Sequence, residues 1–78
     1  MNTISYLELL QKIKNKEIKY NQKVWMSYGG RICTYTEDGD LIDDFTGNDI
    51  HSQHSIEMLL DDNCKFATDN LDKLIKLD

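Results

Sequence analysis

Few side chains in this sequence could do chemistry, and they are widely spaced. His51-x-x-His54 is the one histidine pair, and residues three apart on a helix share a face. Asp49 or Cys64 could join them around a metal ion. A zinc centre needs three or four ligands held by an organised outer layer of hydrogen bonds. Neither Cys-x-x-Cys nor His-Glu-x-x-His is present. The His-Ser-Gln-His stretch therefore reads as a solvated loop, and no metal or cofactor is expected. A small metal-dependent enzyme built on His51, His54 and Asp49 is the alternative that this pair keeps open.

Asp38, Asp40, Asp43 and Asp44 have the composition of a calcium loop without its spacing. The EF-hand pattern puts glycine at its sixth position and glutamate at its twelfth, whereas Gly39 follows Asp38 directly. Carboxylates that work as general acid and base need burial or a close like charge to shift their pKa, and a hairpin turn with solvated flanks asks for neither. Cys33 beside Ile32 and Cys64 near Phe66 sit where small apolar residues would. Gly29-Gly30 lacks the following Lys-Ser/Thr of a phosphate loop. Trp25, Tyr28 and Tyr35 could stack on bases as sheet aromatics do, but a net charge of −5 argues against nucleic-acid binding. No catalytic residue is assigned, and the chain is not expected to be an enzyme.

Charge is unevenly spread. From Glu37 to Asp62 there are nine carboxylates and neither a lysine nor an arginine. Residues 1–36 carry a net +4, and residues 63–78 are neutral. Such asymmetry bears on partners rather than on fold. It suits a partner protein with a basic surface, reached through Glu37, Asp38, Asp40, Asp43, Asp44 and Asp49, with Trp25 and Tyr28 as aromatic anchors. Spread over a globule about 30 Å across, nine charges reach roughly half the linear density of duplex DNA. Imitation of a polyanion would require them to gather on one side. The short apolar runs span no membrane, and two cysteines without a secretory leader point to a reducing cytoplasm.

The elements that must position these groups can be read from the pattern. Ser5-Tyr6-Leu7-Glu8 is a capping box with Ile4 and Leu9 as its staple. Tyr6, Leu9, Leu10 and Ile13 continue at helical spacing, which predicts an amphipathic helix over 6–16 with that stripe in the core. From Lys23 the period becomes two. Gly29-Gly30 and Asp38-Gly39 each read as a two-residue hairpin turn, so three strands form a meander ending at Phe45. This register pairs Tyr28 with Arg31, Met26 with Cys33, Val24 with Tyr35, and Tyr35 with Ile42. One face then holds Val24, Met26, Tyr28, Cys33, Tyr35 and Ile42; the other holds Trp25, Ile32, Leu41 and Phe45. Ser52 or Ser55 caps a short helix through Ile56, Leu59 and Leu60. Cys64–Thr68 reads as a fourth strand, and Leu74–Leu77 as either a last helical turn or an edge strand.

The opening Tyr6-Leu7-Glu8-Leu9-Leu10-Gln11-Lys12-Ile13-Lys14 resembles that of short proteins encoded by phages and prophages of Gram-positive bacteria. Their ends are similar too, and here the tail is Lys73-Leu74-Ile75-Lys76-Leu77-Asp78. The resemblance implies a phage-infected or lysogenic bacterial cytoplasm and supplies no site residues. The expected fold is a single α+β domain, residues 1–78, with an N-terminal helix on a small antiparallel meander of three or four strands and short C-terminal elements. The expected function is non-catalytic binding of a host protein, as an inhibitor or modulator, an anti-phage defence factor of the CRISPR type being one such target. The two-faced sheet adds a further alternative, in which a homodimer or larger oligomer sequesters a small molecule or nucleotide.

Overall fold

Helix α1 (Tyr6–Lys14) begins where the capping box places it. The Glu8 N–H donates to Ser5 Oγ at 3.1 Å, and the Ser5 N–H donates to Glu8 Oε1 at 3.0 Å. Both bonds satisfy donors that a first helical turn leaves without intrahelical partners. Ser5→Ala is expected to cost about 1 kcal/mol, which lowers the melting temperature of so small a domain by about 5 °C. A thermal scan by circular dichroism with an unmoved midpoint would show that the box contributes nothing.

The helix stops two residues short of the expected Lys16. Lys16 takes a left-handed backbone (φ 63°). Its N–H donates to the Ile13 carbonyl at 3.1 Å, and that of Glu17 to the Lys12 carbonyl at 2.9 Å. This is a Schellman stop, a place where glycine avoids a steric cost of about 1 kcal/mol. Tyr6 and Leu9 are buried and Ile13 packs against the core, but Leu10 is 38% exposed. The buried sector is narrower than the stripe read from the sequence, and Leu10 falls on its flank.

The computed structural model describes residues 2–69 and Leu71; the reading of Leu74–Leu77 lies outside them. The fold is α+β. Strands β1 (Lys23–Met26), β2 (Arg31–Tyr35), β3 (Leu41–Asp43) and β4 (Phe66–Ala67) form one antiparallel sheet in the order β3-β2-β1-β4. Two short helices, α2 (Ile50–Gln53) and α3 (Ile56–Leu60), link β3 to β4. Ile4, outside the four strands, pairs with Phe66 of β4, with both N–H···O bonds at 2.8 Å. Phe66, Leu9, Met26, Ile50, Leu59 and Val24 fill the core, together with Cys33 and Cys64.

Both hairpin turns are longer than their glycines suggest. At the first, Met26 faces Arg31 and Val24 faces Cys33. Ser27 has left the β1–β2 ladder because its N–H donates to the Lys65 carbonyl at 2.9 Å and its Oγ accepts the Lys65 N–H at 2.9 Å. Tyr28–Gly30 then forms a 3-10 turn, with Gly29 and Gly30 at positive φ. The register shifts by two, so Val24, Met26, Cys33 and Tyr35 keep their common face while Tyr28 leaves the sheet.

At the second turn the loop is Glu37-Asp38-Gly39. The Gly39 N–H donates to the Thr36 carbonyl at 3.0 Å, the Thr36 N–H donates to the Asp40 carbonyl at 2.8 Å, and Gly39 has φ 83°. A three-residue loop of this kind is a type I turn closed by a left-handed residue. Tyr35 therefore faces Leu41, not Ile42, and Cys33 faces Asp43. An odd shift exchanges the faces: Leu41 and Asp43 turn into the core, and Ile42 turns out beside Trp25 and Ile32.

Burial pushes the Cys33 thiol up to about 12, with Asp43 and Asp44 adding to the effect and Arg31 opposing it. Burial, then the Asp61 charge, raises that of Cys64. Both thiols are expected to react with an alkylating reagent only as fast as the domain opens. Rapid stoichiometric labelling of the native chain would contradict this packing. Among the described residues no helix is long and apolar enough to cross a membrane.

Candidate functional site

Asp43, carried inward by the second turn, is the one charged side chain buried among the described residues and is 1% exposed. A carboxylate out of water needs partners. Its Oδ1 accepts the Phe45 N–H at 2.8 Å, and its Oδ2 stands 3.7 Å from Arg31 Nε. Its main chain closes the following loop, through Asp43 N–H to the Asn48 carbonyl (2.8 Å) and Gly47 N–H to the Asp43 carbonyl (2.7 Å). Arg31 is thus braced by Asp43, and its Cζ lies 4.5 Å from the centroid of the Phe45 ring, a cation–π contact. Phe45 is 81% exposed.

Arg31 stands between two hollows. One, of about 300 Å3, is lined by Tyr28, Gln53, His54 and Met58 with Arg31 and Asp43. The other, of about 410 Å3, is lined by Ile32, Asp44 and Phe45 with Arg31 and the two turn glycines. The Tyr28 and His54 rings lie 6.0 Å apart. A side chain at Gly29 would be strained at φ 73° and would bring Cβ to 3.1 Å from Arg31 Nε, so the turn needs glycine for Arg31 to lie where it does.

The carboxylates expected to meet a partner are dispersed. Glu37 and Asp38 are exposed at the second hairpin tip and Asp40 is half-buried beside it. That tip lies at the other end of the strands from the cleft. Asp44 accepts from Lys23 Nζ at 2.8 Å and from Thr34 Oγ1 at 2.6 Å. Burial pushes its carboxyl up, but these bonds outweigh it and hold it below the ordinary value. Trp25 is half-buried on the outer face of the sheet.

The two histidines part company. Asp49 caps α2 by accepting the His51 N–H at 2.8 Å, and its Oδ1 lies 2.7 Å from His51 Nδ1. Burial raises the Asp49 carboxyl, and the His51 bonds more than offset it, leaving it lowered. His51 Nε2 lies 2.7 Å from the Tyr6 hydroxyl. The tautomer with its proton on Nδ1 satisfies both neighbours, Tyr6 donating and Asp49 accepting. Burial, then the Asp49 charge, raises the Tyr6 phenol, so it stays a neutral donor. His54 follows α2 in an extended conformation (φ −133°, ψ 140°) and turns to Tyr28 instead. The shared helical face assumed for the pair is therefore not formed. Among the described residues no three His, Cys, Asp or Glu side chains are placed to hold a metal ion.

The structure brings Tyr28, Asp43 and His54 together and adds Arg31, Phe45 and Met58, which the sequence reading did not select. A signal for Arg31 was present: it is the only cation between Lys23 and Lys65. No protein-family model, curated protein or solved structure matches this chain.

Proposed function

We propose that the chain is a non-catalytic protein-binding module that engages its partner through the Tyr28–Arg31–Phe45–Met58 cleft. In the setting implied by its resemblance to phage and prophage proteins, it acts as an inhibitor or modulator of a bacterial host protein. The observation that carries this reading is an exposed Phe45 held against an arginine that a buried Asp43 braces from inside. Interfaces draw most of their energy from a few aromatic and arginine side chains, and Tyr, Phe, Met and Arg are enriched there. An arginine already braced loses less freedom on binding.

Acidic residues neighbour the cleft-lining Met58 in sequence. Glu57 precedes Met58 on α3, and the exposed Asp61 and Asp62 follow that helix. Burial, then the Asp61 charge, pushes the Tyr28 phenol up, which puts this carboxylate within electrostatic reach of the cleft. These groups suit a partner with a basic rim and would steer its approach. The non-catalytic part is supported by how the reactive groups are used, His51 between Tyr6 and Asp49 and both thiols buried.

The test pairs wild-type chain with Phe45→Ala and Arg31→Ala as baits in a Gram-positive bacterial lysate, after melting curves have established that each bait is folded. A protein held by the wild type and lost by both variants supports the cleft. Equal recovery by all three removes the cleft from the account, and no specific protein on any bait removes the binding reading. Glu57→Lys with Asp62→Lys should slow association with the captured protein and flatten its salt dependence.

A further inference from the structure

The other end of the sheet carries a hollow of about 380 Å3, lined by Ile13, Lys16, Ile18, Lys19, Tyr20 and Tyr35. Its floor is apolar, since Ile18 and Tyr35 belong to the core and Ile13 packs against it. Tyr20 is 56% exposed, and its ring stacks on Tyr35 with centroids 5.7 Å apart and planes at 26°. The segment between α1 and β1 is fixed by its own hydrogen bonds. The Asn21 N–H donates to the Tyr35 carbonyl at 2.6 Å, the Tyr35 N–H to the Gln22 carbonyl at 3.0 Å, and the Lys19 N–H to Gln22 Oε1 at 2.9 Å. The hollow is therefore preformed.

Lys16 is the residue out of place. It fills the left-handed stop of α1, where glycine would be more stable. A local rule broken in this way points to a functional demand on the side chain. Lys16 lines the hollow with Lys19, and among the described residues neither lysine is ion-paired with a carboxylate. The combination is an apolar floor, an exposed tyrosine and two lysines in one lining.

We infer that this hollow binds an aromatic phosphate of mononucleotide size, its ring against Tyr20 and the isoleucines and its phosphate beside Lys16 and Lys19. The volume lies within the span of small-molecule sites. Tyrosine faces stack bases without regard to sequence, and lysine meets phosphate as a point charge. The site is separate from the cleft at the opposite end of the sheet, and its fate does not depend on that reading.

The full chain, labelled with 15N, is titrated with adenosine 5′-monophosphate, and in parallel with adenosine and with inorganic phosphate. The expected result is saturable shifts confined to Ile13, Lys16, Ile18, Lys19, Tyr20 and Tyr35 with the nucleotide. Each half-ligand alone should bind at least about ten-fold more weakly. Lys19→Gln should weaken the nucleotide about five-fold. Lys16→Gly should weaken it similarly while raising the melting temperature, which separates loss of the cation from loss of the fold. No saturation at low-millimolar nucleotide, equal binding of either half-ligand, or a Lys16→Gly chain that is stabilised and still binds as the wild type would each overturn the assignment.

Discussion

Leu9→Ala is expected to unfold the domain, whereas Leu10→Ala, one residue on, is expected to leave it folded. Leu9 is fully buried beneath α1. Truncating a leucine there removes its transfer free energy and leaves a cavity, together worth about 2–5 kcal/mol. A core of this size contributes only about 3–5 kcal/mol net, so the loss is comparable to the whole. Leu10 stands on the flank of the helix, 38% exposed, and its truncation should cost only about 1–2 kcal/mol. Urea titrations followed by circular dichroism compare the two directly. Equal losses at the two positions would mean that α1 is rotated about its axis so that both leucines share the core.

Asp43→Ala comes next in expected effect. It removes the acceptor of the Phe45 N–H and the charge that braces Arg31. Breaking a fully buried pair from one side costs about 3–5 kcal/mol. Arg31 keeps a third of its side chain in water, so the expected loss here is smaller, about 2–3 kcal/mol. Asp43→Asn keeps the shape and an acceptor oxygen and should lose less. Partner binding separates two roles for the residue. If Asp43→Asn is folded but binds the captured protein as Arg31→Ala does, the carboxylate acts by aiming the arginine. A stability equal to the wild type in Asp43→Ala would mean that the inward carboxylate carries no structural weight.

Asp43 also shows where the sequence stops being legible. The α+β architecture, the capping box and the strand order of the meander follow from local signals with a mechanism of their own. The faces of the sheet depend on loop length, and Asp38-Gly39 is compatible with two-residue and three-residue turns alike. That single count decides whether Ile42 or Asp43 points inward, and no pattern in 40–45 announces the answer, because Leu41-Ile42-Asp43-Asp44 offers an apolar and an acidic residue in either phase. The first turn departs from its local pattern for a different reason. Ser27 is claimed by Lys65 from far along the chain, a contact that no local window contains. The cleft followed the same fate: Tyr28 was legible as an aromatic, but Arg31 and Phe45 gained their meaning only when Asp43 arrived between them. The histidines misled through helix length, since α2 ends before its last turn could align them.

The pairing of Ile4 with Phe66 has a bearing on how the chain comes to be folded. Ile4 and β4 meet at one edge of the sheet, where β4 also pairs with β1. During synthesis α1 can form early, but Tyr6 lacks its Phe66 neighbour and Ile4 its pairing until residue 66 has emerged. Contacts so distant in sequence slow folding and leave the half-made meander with an open flank. The sheet is thus completed only when β4 is available to pair with β1. Until then its β1 edge is the surface most exposed to wrong pairing, and the arrival of a two-residue strand closes it.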